Sequence, residues 1–464
     1  MNARRIAGLA CAILIIIACQ LPQTIRTDGP PTTPRPAAVG PQPTGAPLPT
    51  VAVATQRLQP TDLVYQGAFR LPDTADDLGW TWSGHALAYY SEGDPDGPAD
   101  GYPGSLFGTG NDQKQWVSEI GIPVPVNSPA KNVADLNTAT TRQEFRNIRG
   151  TLFDQVEGFD DFPGTLAKAG LACLPPQGAQ TTGKLYFCWG YHLQQVPQRD
   201  DDTLRGQPDV SHGWCELNLA DPRPAGAWTI GDYINFVTSD YLFPIDPAWA
   251  AANTPGRLLA TGRFRDGGQG GRGPSLLAFG PWNEGNPPPP GAHLAATPLI
   301  LYSDILAGDD HTMSSYNPAD EWMGGAWLTA GDRSAVVFVG TKGTGRAWYG
   351  FADGTEWPEE PPYPPVPAPP NDQRGWWSEG FVGQIIFYDP ADLAAVARGE
   401  KARWEPQPYA TLDIDPVLYH VTSPRQWHHV GDAAFDRARG LLYVLEPLAD
   451  GDKPLVHVWK IESP

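Results

Sequence analysis

The chain has 464 residues and a formal net charge of -20, which argues against nucleic acid or an anionic membrane surface as a partner, because phosphate binding needs clustered Lys and Arg. Gly and Pro stand at 51 each while helical runs are few, so the composition suits many turns between short strands.

The first residues read as a targeting segment. Arg4 and Arg5 precede an apolar run from Ile6 to Ala18, 13 residues long and short of the ~20 that span a bilayer. The run ends Ile16-Ile17-Ala18-Cys19. This resembles the lipobox of bacterial lipoproteins, in which an aliphatic residue and a small residue precede the Cys that is lipidated after cleavage. The resemblance implies a signal peptide over residues 1–18, a lipid anchor on Cys19 and an extracytoplasmic, membrane-anchored location. The plainer reading is a secretion signal followed by a chance Cys. Residues 19–60 are rich in Pro, Thr, Ala and Gly and too poor in apolar residues to offset the cost of ordering. They read as a disordered tether that, at ~3 Å per residue, reaches on the order of 100 Å.

Residues 61–464 read as one all-β domain. The clearest unit is Trp322 to Gly343: a strand rich in small residues, a Gly331-Asp332-Arg333 turn, and the apolar run Val336-Val337-Phe338-Val339. Comparable apolar runs recur at Ser105–Gly110, Leu185–Gly190, Leu258–Gly262 and Leu441–Leu445. Such continuous apolarity implies burial on both faces. A small-residue signature precedes three of the runs, at Trp82–Leu87, Trp322–Trp327 and His429–Phe435. Gly170–Cys173 fits it loosely, and Ala248–Ala252 poorly. Third strands are expected at 116–122, 213–219, 275–279, 384–388 and 456–461, and outer strands at 145–150, 227–230, 299–302 and 409–414. The fifth unit lacks an outer strand of its own, whereas Leu63–Phe69 is left without a unit. The pattern resembles five-bladed β-propellers: five four-stranded blades, the last closed by the N-terminal strand, which removes an open sheet edge. The small residues of the first strands then answer to crowding at the axis. The persuasive helix is Pro390–Arg398, with Asp389 as its cap and Gly399 after it.

Three cysteines lie in this domain. If their strands are neighbours, Cys188 is central and expected to pair with Cys215 or Cys173, leaving one thiol free.

In propellers as a class, ligands bind on the face formed by loops leading into the inner strands and loops joining second to third strands. That resemblance places Trp82, His85, His192, His212, Arg263, Lys342, Trp376 and His429 as ligand-binding candidates, their aromatic rings suited to stacking on sugars. It also places two acidic groups there. Asp309-Asp310-His311 combines carboxylates with an imidazole, as general acid–base work needs, or forms a solvated acidic turn. Glu157 and Asp160 would supply one member of a carboxylate pair; glycoside hydrolysis needs two carboxyls ~5–9 Å apart. The stretch Glu92 to Gly101 offers Asp94, Asp96 and Asp100 on a Gly-rich turn, a structural calcium loop or a solvated one, on the opposite face. The proline-rich stretch Trp357–Pro370 reads as an extended flap or a passive loop. The expectation is a monomeric, lipid-anchored propeller that binds a ligand such as glycan or cell-envelope material. The alternatives are a carbohydrate-active hydrolase or lyase, and a scaffold for envelope proteins.

Overall fold

The uninterrupted apolar runs become the second strands of five sheets, where a strand has neighbours on both edges and a packed blade on both faces. In the computed structural model of the protein, residues 53–462 are described apart from 75–78, 95–96, 113, 153–167, 191–209, 234–236, 265–271, 305–308, 370 and 421–427. The five sheets form a five-bladed β-propeller. Blade 1 runs from its inner strand outward through Leu87–Tyr90, Ser105–Thr109, Val117–Gly121 and Thr141–Arg146. Blade 2 uses Lys168–Leu174, Lys184–Gly190, His212–Glu216 and Ala225–Ile230; blade 3 uses Tyr241–Pro244, Leu259–Gly262, Leu276–Phe279 and Ala296–Ile300. Blade 4 uses Glu321–Ala330, Arg333–Gly350, Gly375–Tyr388 and Ala410–Asp413.

Blade 5 holds Ala433–Asp436, Leu441–Asp450 and Lys453–Ile461, and its outer strand is Leu63–Arg70 from the other end of the domain. The pairing is antiparallel, from Leu63 opposite Ile461 to Arg70 opposite Leu455. The expected ring closure is therefore present. A bulge between Tyr65 and Gly67 interrupts this register, and Gly67 (φ +124°) sits where a side chain would collide with the backbone of Val126. Ordered pairing starts a few residues before the expected boundary. Gln56–Arg57 lies parallel to Arg333–Ser334, and the peptide N–H groups of Thr55 and Gln56 donate to the Asp332 carbonyl at 2.9 and 3.0 Å.

Each blade packs on the next through its own apolar core, so five cores fill the five junctions. Between blades 3 and 4, Tyr241, Phe243 and Trp249 meet Trp322, Trp327 and Phe338. Between blades 1 and 2, Phe107 and Val117 meet Leu171, Leu185 and Phe187. Burying each large side chain is worth roughly 1.5–3 kcal/mol, so the junctions carry most of the ring's stability.

Two expectations are corrected. Residues Ala248–Ala252 form no inner strand. They belong to α1, Pro247–Asn253, whose start is fixed by Asp246 accepting the Trp249 N–H at 2.8 Å and by Pro247 in the first turn. The inner strand of blade 3 is Tyr241–Pro244 just before it. The expected helix α2 is present at Pro390–Ala397, with the Asp389 side chain accepting from Ala391 N–H. The inner strands of blades 1 and 5 also start later than their small-residue signatures, at Leu87 and Ala433. The glycines of those signatures allow close approach: a Cβ on Gly431 would collide with the carbonyl oxygen of Gly84, and one on Gly324 with Asp432.

The expected disulfide is the third correction. Cys173, Cys188 and Cys215 are all free thiols. In the register of blade 2, Leu185 lies opposite both Cys173 and Cys215, whereas Cys188 lies opposite Gly170 and His212. Side chains alternate along a strand, so Cys188 points to the other face of the sheet from the two proposed partners. Cys188 packs toward blade 3 and Cys215 toward blade 1.

Candidate functional site

Two faces of the ring follow from strand direction. The lead-in face carries the loops into the inner strands and those joining second to third strands; the turn face carries the first hairpin turns. On the lead-in face, His212 and His429 bridge neighbouring blades, whereas Arg263 and Lys342 are ion-paired within their own blades. His212 is buried, its Nδ1 2.9 Å from Ser211 Oγ and its Nε2 3.0 Å from Thr261 Oγ1 on blade 3. Burial without a carboxylate partner pushes its pKa down to about 3, so the ring is neutral. Arg263 is 1% exposed and lies 3.7 Å from Asp240, which is equally buried. Lys342 donates to both Asp320 oxygens at 2.9 and 3.0 Å. Asp320 also accepts the N–H groups of Asn317 and Gly343; burial outweighs these partners and raises its pKa to about 6. His429 is buried with Nδ1 3.3 Å from Asp415, and its N–H donates to Thr341 Oγ1 at 2.8 Å.

The acidic candidates do not converge within the described residues. Asp309 and Asp310 form a two-residue strand paired with Ser303–Asp304. Asp310 is ion-paired to Arg272 at 2.9 Å, and His311 stacks on Trp404 with ring centroids 4.1 Å apart and a 10° interplanar angle. Glu157, Asp160 and His192 lie outside the described residues. On the acidic loop of the turn face, Asp94 pairs with Arg142 at 3.0 Å and Asp100 accepts the Tyr102 N–H at 2.9 Å, while Asp96 is outside the described residues. Among the described residues, no three His, Cys, Asp or Glu side chains come together as a metal site.

The aromatic candidates fare differently. Trp82 stays 57% exposed, held at φ +53° by its N–H donating to the Asp452 carbonyl at 2.7 Å, and His85 is half-buried in the same loop. On blade 4, strands two and three continue past the first residue of the inner strand, Glu321, which pairs with Thr341. The nine residues from Lys342 to Gly350 therefore project by roughly 30 Å at the usual strand rise. This extended hairpin carries an aromatic shelf. Tyr349 and Trp376 pair across the strands with centroids 5.6 Å apart. The proline-rich segment folds back onto it, Tyr363 stacking on Trp357 at 4.8 Å and 8°, and the Arg374 guanidinium lies 4.4 Å from the Trp357 ring centre. Tyr363 is 51% exposed.

One buried relay was not legible in the sequence. His457 Nε2 is 2.7 Å from Glu446 and its Nδ1 2.9 Å from Tyr65 Oη, while Glu446 also accepts the N–H groups of Tyr419 and His420. The relay ties the closing strand to the loop leading into blade 5. Its members are spread from residue 65 to residue 457, so no local pattern marks it.

A concave space lies at the turn-face end of the axis. There the five inner strands surround a cavity of about 370 Å³, with Leu87, Leu171, Leu242, Phe243 and Trp327 among its walls. No protein-family model matches the chain, and no curated protein proves similar to it.

Proposed function

We propose that this protein is a lipid-anchored, extracytoplasmic binding protein whose propeller presents the blade 4 hairpin to a glycan or related cell-envelope ligand. The observation that supports this reading is the aromatic shelf of Tyr349, Trp357, Tyr363 and Trp376, projecting from the lead-in face with Arg374 beside it. Aromatic rings offer flat apolar surface to the C–H face of a sugar, and a guanidinium offers hydrogen bonds to its hydroxyl groups. His212 and His429 tie neighbouring blades together, and the ion pairs of Arg263 and Lys342 brace blades 3 and 4 internally. A hydrolase needs two carboxyl groups facing one space, and Asp310 is committed to Arg272.

A glycan array probed with the protein, with product analysis on any hit, tests the reading. Retention on at least one envelope polysaccharide is expected, weakened about tenfold by Trp357→Ala with Tyr363→Ala if each ring contributes ~0.5–1.5 kcal/mol. No retention on any polysaccharide would sink it, and cleaved products would replace it with the enzymatic reading. The anchor is tested separately: Cys19→Ser should release the protein from the membrane fraction, and persistent membrane association would refute lipidation there.

A further inference from the structure

We propose that the axial cavity on the turn face is a second binding site, for a small hydrophobic cation: an amine or quaternary ammonium with an apolar body. The proposal rests on no part of the glycan reading, since the cavity and the blade 4 shelf lie on opposite faces. Its volume, about 370 Å³, falls within the ~300–1,000 Å³ of small-molecule sites. Its walls come from all five blades. Tyr90, Leu174, Leu217, Pro244 and Phe435, each half-buried, leave apolar surface facing it, which suits an apolar body displacing water.

Charge at the mouth selects the head group. Three side chains charged at neutral pH line it: Glu92, Asp436 and Arg437. Arg437 is already engaged, donating to Asp246 and Thr329 at 3.1 Å each and to the Pro244 carbonyl at 3.5 Å. Asp436 is buried and accepts the N–H groups of Ala438 and Arg439 at 2.9 and 3.3 Å, with the Arg439 guanidinium at 3.4 Å. Glu92 is exposed and makes no ion pair among the described residues. The uncommitted charge is thus negative. Half-buried Tyr90 lines the cavity near Glu92, and aromatic rings attract cations. The net charge of -20 concentrates cations around the whole molecule.

Calorimetric titration of the full protein with hexylammonium, hexanoate and hexanol at neutral pH and low salt tests this. The cation is expected to bind at least tenfold more tightly than the carboxylate or the alcohol. Glu92→Gln, at an exposed turn, should weaken hexylammonium five- to tenfold without altering the melting temperature. Ala438→Trp, also exposed and at the mouth, should abolish binding by obstruction. Equal or tighter binding of hexanoate would overturn the proposal. So would unchanged affinity in Glu92→Gln, or no binding of hexylammonium by a folded protein.

Discussion

Single residues show how a tightly closed ring uses glycine and histidine for different ends. Gly331 and Gly431 make a direct contrast. Gly331 turns the blade 4 hairpin at φ +60° with open space around it, so Gly331→Ala should cost only about 1 kcal/mol of backbone strain. At Gly431 an added Cβ would meet the backbone oxygen of Gly84 on the neighbouring blade, which cannot rotate away. Gly431→Ala should cost roughly 2–3 kcal/mol, read as the shift in urea midpoint at constant slope. The reverse order would refute close approach at that junction. His212 predicts a pH effect of definite sign. Its folded pKa is held near 3 while the unfolded value is close to 6.5, so the unfolded state takes up the proton first as pH falls. The neutral ring costs nothing above that upper value, and stability is lost as pH drops toward 3, by up to ~1.4 kcal/mol per pH unit. Asp320 acts oppositely. With its folded pKa raised to about 6, the folded state holds the proton more tightly, so its ionisation reduces stability as pH rises from ~4 to ~6. The informative measurement is therefore a difference. Denaturation of His212→Gln between pH 4 and 6 should show a shallower fall than the parent, and parallel curves would refute the neutral buried ring.

At the scale of elements, legibility followed the number of neighbours a strand has. Second strands such as Lys184–Gly190 are buried at every position, so their apolar runs announced them. Inner strands are harder to read, because glycine there serves close approach as often as strand formation; the Gly84 and Gly431 segments precede their strands. Helix α1 carried the signals of a helix start in Asp246 and Pro247, but its Ala-rich sequence also matched the small-residue pattern of an inner strand. The closing strand was legible because one end of the domain lacked a partner and the other had one to spare. Its removal is a sharp test. A chain starting at Val53 should fold as the parent does, whereas one starting at Leu71 should aggregate, because Lys453–Ile461 would then present an open edge and lose the buried Phe69 and Ala68. Size-exclusion chromatography and circular dichroism read both outcomes, and a monomeric, folded product from the shorter chain would show that closure is dispensable.

Across the whole molecule, the sites were less legible than the ring. Polar residues in loops read as ligand contacts, yet Arg263 and Lys342 each turned to an Asp just before the inner strand of its own blade, and His429 turned to Asp415 and Thr341 of blade 4. The axial cavity could not be read at all, because each inner strand contributes only a few wall residues, separated in sequence by about 80 positions. One feature of the ring has a mechanical consequence. Before Leu63 joins blade 5, the chain is fastened to the hairpin turn of blade 4: Thr55 and Gln56 bond the Asp332 carbonyl, Arg57 pairs with Asp389, and Arg333 reaches Asp62 at 2.6 Å. A pull on the chain ahead of Thr55 loads this fastening first, and blade 4 shares the force before the closing strand feels it. The segment acts as a strain relief, in the way a clamp protects the joint where a cable enters its housing.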